Sequence, residues 1–312
     1  MSEQVYDVIV VGAGVTGLAA AREASLSGLA VAVVEPEIFG GLVININELD
    51  GNILGSGADL ASQMMIEATE GGAVMLSESV RTLGREGSTL TVETDSGAHR
   101  ARSVILASGA RLKHLGIPGE AEFEHRGVAC CADCDGPMYQ GSDVVVVGGG
   151  DSALQEALVL ARFCRRVHVV HRGGQFRAKP HLQEALAACD NVTVHFRTEV
   201  LELLGGTGVE QARIRNLDDH GGGAIACSGV FPFIGLAPSA EYVPPAVARD
   251  RNGFLLTDSE LKTAVAGVFA AGAVRSGYGG MLEHAMSEGV AAAQAAAREL
   301  GVRVPAASLE GL

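Results

Sequence analysis

Short runs of β-branched apolar residues, each closed by a glycine-rich turn and followed by a helical stretch, set the rhythm of the chain. Residues 5–11, Val-Tyr-Asp-Val-Ile-Val-Val, are the first such run. With no polar residue after Asp7 and too few residues for a helix, the run reads as a strand buried on both faces. It enters Gly12-Ala13-Gly14-Val15-Thr16-Gly17 directly, and an alanine-rich helix extends from there to about Ser27, with Gly28 as its C′ residue. A second strand, 31–34, ends at Glu35. Strand, GxGxxG, helix, strand and acid within thirty residues form a dinucleotide-binding unit. The glycines permit a tight turn and close backbone approach, the helix N-terminus faces a pyrophosphate, and the carboxylate accepts hydrogen bonds from a ribose diol.

The pattern returns at a constant offset of 136 residues. Asp7 to Gly14 lines up with Asp143-Val144-Val145-Val146-Val147-Gly148-Gly149-Gly150, and Gly17 falls on Ala153 after Asp151 and Ser152. Eleven of the 28 positions from 7 to 34 are identical in 143 to 170, so the chain carries two copies of one nucleotide fold. Their sugar readers differ. Glu35 suits a free 2′-hydroxyl, as in FAD or NAD, whereas the second copy has His171-Arg172 at that place and Arg177 six residues after the histidine. Cations there meet a 2′-phosphate, which favours NADPH over NADH.

Between the copies, residues 80–83, 89–93 and 98–102 read as a small antiparallel meander broken by Gly84, Gly87 and Gly97, and 104–107 as a separate buried strand. Strand 268–271 and an alanine-rich helix from about Met281 to Leu300 finish the chain. The linker composition of 115–119 and the prolines at 238, 244 and 245 mark boundaries. The expected architecture is α/β, with two Rossmann-like domains: 1–115 with 246–312, and 116–245 inserted between them.

Composition narrows the chemistry. A net charge of −14 argues against nucleic acid or an anionic membrane as the main partner, and the apolar runs stop short of a membrane span. The N-terminal residues lack the basic flank and small-residue cleavage site of a signal peptide. Six cysteines are too sparse for a disulfide scaffold at 312 residues, which points to the cytoplasm and to one redox or metal motif. That motif is Cys131-Ala132-Asp133-Cys134, followed by Asp135-Gly136. Two thiols three positions apart close a disulfide if they open a helical turn, whose N-terminus lowers the first thiol's pKa. Asp135 beside the second thiol can shuttle a proton. A zinc site would need a second ligand pair, and no other CxxC or HxxxH is present, so no metal is expected. Two nucleotide folds and a CxxC together describe a circuit in which a hydride passes from a nicotinamide to a flavin and two electrons pass on to a disulfide.

Cys131 to Gly136, Tyr139-Gln140-Gly141, the run from Asp143 to Ala153, and His171-Arg172 with Phe176-Arg177-Ala178 resemble low-molecular-weight, bacterial-type thioredoxin reductases. The resemblance runs nearly the full length, through Gly40-Gly41, Ala107-Ser108-Gly109-Ala110, Pro118-Gly119-Glu120 and Gly267 to Gly272. It implies an FAD domain (1–115 and 246–312) and an inserted NADPH domain (116–245) carrying the disulfide. It also implies a homodimer, a thioredoxin-like protein or other disulfide as substrate, and a rotation presenting the CxxC alternately to flavin and partner. On that match Cys134 is the flavin-proximal thiol, Cys131 attacks the partner disulfide and Asp135 is the acid. Gly40, Gly41, Ser108, Gly109, Gly272 and residue 273 join the cofactor-binding set.

The sequence also departs from the family. Leu42 replaces a glutamine, Asn45, Asn47 and Glu48 stand in an altered stretch, and the usual Gly-Asp is Gly272-Ala273. That aspartate accepts a flavin ribitol hydrogen bond in the family, and losing such a bond typically costs about 1–2 kcal/mol. The loop 275–284 is differently charged, and the double arginine after the histidine is single, with Gly173-Gly174 following. The expected activity is NADPH-dependent dithiol–disulfide oxidoreduction through FAD and a Cys131–Cys134 redox pair. The alternatives are a flavin-dependent dithiol oxidase that passes electrons to oxygen and a degenerate, non-catalytic nucleotide-binding homologue.

Overall fold

The computed structural model describes residues 4–46, 49 and 55–302, so Asn47 and Glu48 lie outside the described residues. The chain forms two compact units, Met1–Arg111 with Ala237–Leu312, and Leu112–Leu236. In chain order the first unit contributes β1 (Val5–Val11), α1 (Val15–Leu26), β2 (Val31–Val34), α2 (Gly57–Glu70), β3 (Val74–Leu76), β4 (Val80–Glu86), β5 (Thr89–Thr94) and β6 (Ala98–Leu106). A short strand β7 (Ala110–Leu112) leads into the second unit: α3 (Ala132–Asp135), β8 (Asp143–Gly148), α4 (Asp151–Leu160), β9 (Arg166–His171), α5 (Pro180–Ala187), β10 (Val192–Phe196), β11 (Thr198–Gly205), β12 (Val209–Asn216), β13 (Gly222–Ala226) and β14 (Gly229–Phe233). The return runs through β15 (Leu236–Pro238) to β16 (Val268–Ala270) and α6 (Leu282–Glu299).

The first unit is built on a seven-stranded sheet in the order β3-β2-β1-β6-β5-β4, with β16 also on β6. Strands β3, β2, β1, β6 and β16 pair in parallel, and β4 and β5 continue antiparallel. The uninterrupted apolar run of β1 now has its reason. Val8 and Val10 enter a core with Leu18, Ala20 and Ala24 of α1, while Ile9 and Val11 pack on the opposite face with Leu255, Val243 and Val247. The last strand of the meander and the strand expected after it are one nine-residue strand, β6, while β4 and β5 supply the other two. Its first half pairs with β5 and its last three residues with β16, so the edge away from β1 serves two neighbours. Ser103 at the join is buried, and its Oγ donates to the carbonyl of Gly267 at 2.9 Å. Helices α1 and α6 cross closely enough that a Cβ on Gly289 would meet the carbonyl oxygen of Thr16 at 2.2 Å. The alanine content of both helices permits that approach.

The second unit repeats the nucleotide unit as a parallel sheet, β10-β9-β8-β14, beside an antiparallel sheet, β11-β12-β13. The units divide at 111/112 and 236/237, upstream of the junctions expected from linker composition. Leu112, Leu115 and Ile117 pack on the cores of the second unit, whereas Ala240, Val243 and Val247 belong to a core of the first. The turn at 115–119 is itself ordered: buried Glu120 accepts from the amides of Leu115 and Gly116, both at 2.7 Å.

Candidate active site and nucleotide loops

In the first unit the glycine loop joins the C-terminal end of β1 to the start of α1. Gly12 has φ +103°, and a Cβ there would meet the Ala107 carbonyl oxygen at 2.5 Å; at Gly17 one would lie 1.8 Å from the Gly12 oxygen. These two glycines let strand, loop and helix touch. Gly14 differs: a Cβ on it would find nothing nearer than 3.9 Å. It is the N-cap of α1, with extended backbone, no side-chain cap and no acid in the first turn. The helix therefore turns an uncapped N-terminus toward open space beside a residue without a side chain, a place with the room and polarity to hold a pyrophosphate. Val15 and Thr16 form the first turn, where Thr16 is buried. Glu35, at the end of β2, accepts from the amides of Ala13 (2.9 Å) and Glu37 (3.2 Å), which fixes its carboxylate beside the loop.

Gly40 pairs with Gly14 in an isolated bridge, and its amide donates to Ala13 at 2.7 Å. Gly41 begins the short turn that follows. The Ser108 hydroxyl is already engaged, donating to Ser239 O at 2.6 Å and accepting from Tyr242 at 2.9 Å. Gly109 accepts from Ser239 N at 3.0 Å, so both residues tie the loop down. Ala273 is half-buried behind Gly272 and carries no carboxylate. The acid at that turn is Glu288 of α6, which accepts from Gly272 N at 2.7 Å and from Arg275 Nε at 2.9 Å.

In the second unit Gly148 closes β8, and Gly150 is the N-cap of α4, where a Cβ would meet nothing within 4 Å. Ala153 is core, Ser152 is exposed in the first turn, and Asp151 accepts from Lys179 N at 2.8 Å, pinning the 172–179 loop to the helix. A cavity of about 330 Å³ opens at these strand ends, and Gly149, His171, Arg172, Arg177 and Lys113 help line it. The His171 ring is buried against Phe176 and Phe196, and a Cβ on Gly149 would collide with it at 2.4 Å. Burial pulls its pKa down, so the positive charge at this site comes from Arg172, Arg177 and Lys113. The Arg197 guanidinium lies where Gly174 leaves room, with Nε 3.1 Å from a Cβ built on that glycine.

Cys131 and Cys134 form a disulfide, with Cα atoms 5.4 Å apart. Cys131 is the N-cap of the single turn α3, and its Sγ accepts from Cys134 N at 3.2 Å. Asp135 closes the turn, its amide donating to Cys131 O at 3.0 Å. It lines a cavity of about 600 Å³ together with Cys130, Glu124, His125 and Tyr139. The N-terminal amide of the turn, on Ala132, donates to Glu156 Oε2 of α4 at 2.7 Å. Sequence reasoning passed over Glu156, although the internal repeat marks it: the matching position is Ala20, fully buried in the first unit. The other cysteines stand apart from this chemistry. Burial pushes the Cys164 thiol up to about 11 and Cys227 up to about 12, which keeps both protonated. Among the described residues no group of three or more His, Cys, Asp or Glu could hold a metal ion, and no helix is long and apolar enough to cross a membrane.

Residues 6–299 match the family model for pyridine nucleotide-disulphide oxidoreductases. The chain belongs to that family. A thioredoxin reductase from Treponema pallidum is 40% identical over 297 residues, covering 94% of this chain and 96% of the relative. One from Mycolicibacterium smegmatis is 37% identical over 277 residues, covering 87% of this chain and 89% of its own. The crystal structure of Lactococcus lactis thioredoxin reductase superposes with a TM-score of 0.86 at 30% identity, covering 95% of this chain and 99% of that one. This chain is thus a thioredoxin reductase-like oxidoreductase with two Rossmann-like domains, and membership of the family implies FAD and NADPH. The loops fit such groups, since Gly14 and Gly150 each leave unfilled space at an uncapped helix N-terminus.

Proposed function

We propose that the first unit holds FAD through the Gly12–Gly17 loop, Glu35 and the turns at Gly40–Gly41, Ser108–Gly109 and Gly272–Ala273. The second unit binds NADPH through Gly148–Ala153, Arg172 and Arg177, with His171 as a neutral wall, and reduces thioredoxin through Cys131–Cys134. The observation that carries this reading is the disulfide at the head of a helical turn, with Asp135 closing that turn, inside a chain that carries two open nucleotide loops. When bound, the nicotinamide supplies a hydride and the flavin relays its two electrons. The chain does the rest. The Cys131–Cys134 bond takes up two electrons and two protons and becomes a dithiol. The Cys131 thiolate then attacks a disulfide sulfur of the partner and the departing sulfur takes a proton, for which Asp135 is the donor. Attack by Cys134 on the mixed disulfide releases the reduced partner and restores the bond.

Anaerobic addition of NADPH to the purified protein tests this. A yellow protein bleached by NADPH and reoxidised by thioredoxin is the expected result. A yellow protein that bleaches only with dithiols would instead establish the oxidase, and a colourless one that takes up no FAD would establish the non-catalytic homologue. Arg172→Ala and Arg177→Ala should each weaken NADPH by about 2 kcal/mol, roughly thirtyfold, because a charge-assisted hydrogen bond to the 2′-phosphate is lost. Binding without the 2′-phosphate should stay unchanged, and titration of the oxidised protein with NADP+ and with NAD+, which bind without reducing it, measures both. We also propose, from the family resemblance, a cytoplasmic homodimer. Light scattering would detect the dimer.

A further inference from the structure

The turn that carries the redox cysteines has two amides near Cys131 able to favour negative charge on its sulfur once the disulfide opens, and only one of them is aimed at that sulfur. Cys134 N points at Cys131 Sγ at 3.2 Å. The other, on Ala132, is one peptide unit from Cys131 and is occupied by the Glu156 carboxylate at 2.7 Å. Glu156 sits in the middle of α4, half-buried, facing the CxxC turn. Among the described residues it makes no ion pair with a lysine, arginine or histidine. The charge that acts on it is acidic, that of Asp133 on the turn, and Glu156 in turn acts with Asp135 and Glu124 on Cys130. Burial and Asp133 raise its pKa, and the bond from Ala132 opposes them. Its charge is felt at the motif, since together with burial and Asp135 it pushes the neighbouring Cys130 thiol up.

We propose that Glu156, bound to the Ala132 amide, is a positioning residue that holds the CxxC turn in place while its negative charge restrains the Cys131 thiolate. This deepens the proposed function and rests on Cys131 being the exchanging thiol. The turn amides that would otherwise favour a thiolate are divided between sulfur and carboxylate. A reduced pair whose thiolate is less stabilised is a stronger reductant, which suits a dithiol that must give its electrons away. The effect has a defined pH window. It is present where Glu156 is ionised and Cys131 is losing its proton, and it fades in acid, where both groups are neutral.

Glu156→Gln tests the charge separately from the hydrogen bond, because the amide oxygen still accepts from Ala132 N. In the holoenzyme reduced with dithiothreitol, iodoacetamide alkylation of Cys131 is followed against pH, with tandem mass spectrometry distinguishing it from Cys130. The midpoint should fall by about one unit in E156Q. The thiol–disulfide equilibrium against dithiothreitol should move up to tenfold toward the dithiol at pH 8, about 30 mV, and the two proteins should converge near pH 5. Glu156→Ala, which also frees the amide, should move the midpoint at least as far. An unchanged midpoint in a folded E156Q protein would overturn the proposal. Neither readout uses NADPH or thioredoxin, so failure here leaves the proposed function standing, and failure of NADPH to bleach the protein would leave this result intact.

Discussion

Cys134→Ser is expected to reduce disulfide turnover below detection while flavin reduction by NADPH proceeds at its normal rate. Turnover requires a second sulfur to resolve the mixed disulfide, and a serine hydroxyl, far weaker as a nucleophile near neutral pH, cannot replace it. Cys131 remains in the variant, at the N-cap of its turn and beside the Cys134 amide, so it still attacks. The reaction therefore stops at a covalent adduct between the variant and its substrate. That adduct should be isolable on a non-reducing gel and released by dithiothreitol. Buried Cys164 and Cys227 stay protonated and should not substitute. Thioredoxin-coupled NADPH consumption at the wild-type rate would show that Cys131–Cys134 is not the redox pair.

The second large effect separates two glycines of one motif. Gly17→Ala places a methyl group 1.8 Å from the Gly12 carbonyl oxygen, a backbone atom that cannot rotate away. Helix α1 would have to lift from β1, disturbing the core around Val10 and Leu18. The cost should reach about 3 kcal/mol, a large part of a domain's net stability. Thermal unfolding should show a marked fall in midpoint even when excess FAD is present. Gly14→Ala should leave the apoprotein midpoint within about 1 kcal/mol of wild type, because φ is −70° and a Cβ there meets nothing nearer than 3.9 Å. It should nevertheless purify with much less flavin, since the methyl group occupies space proposed for the pyrophosphate. Equal loss of stability in both variants would contradict the division of roles.

Much of this was legible in the sequence because the chain repeats itself. The shared pattern from Asp7 and from Asp143 exposed both nucleotide units, and the CxxC between them announced redox chemistry. What stayed hidden depends on which core a side chain joins. Leu115 and Ile117 flank glycines and a proline, so they read as linker, yet their apolar side chains pack on the second unit. Ser103 looked like a break between strands because sequence does not show the Gly267 carbonyl waiting for its hydroxyl. His171 reads as a cation until burial against Gly149, Phe176 and Phe196 is seen. For Glu156 the repeat offers only a contrast with Ala20, and the amide of Ala132 that gives the carboxylate its place comes from a distant segment.

The division of β6 between early and late neighbours also bears on how the polypeptide is made. Its first half pairs with β5, a hairpin neighbour already synthesised, whereas its last three residues wait for β16 and α1 waits for α6. The unit at 112–236 is continuous in sequence and can complete its core on the ribosome, before the final strand and helix emerge. Until then the apolar end of β6 and the alanine face of α1 stay uncovered. The nascent chain is therefore most open to misassociation at its last stage of synthesis, and early termination within α6 would leave the 112–236 unit finished and the first unit unclosed.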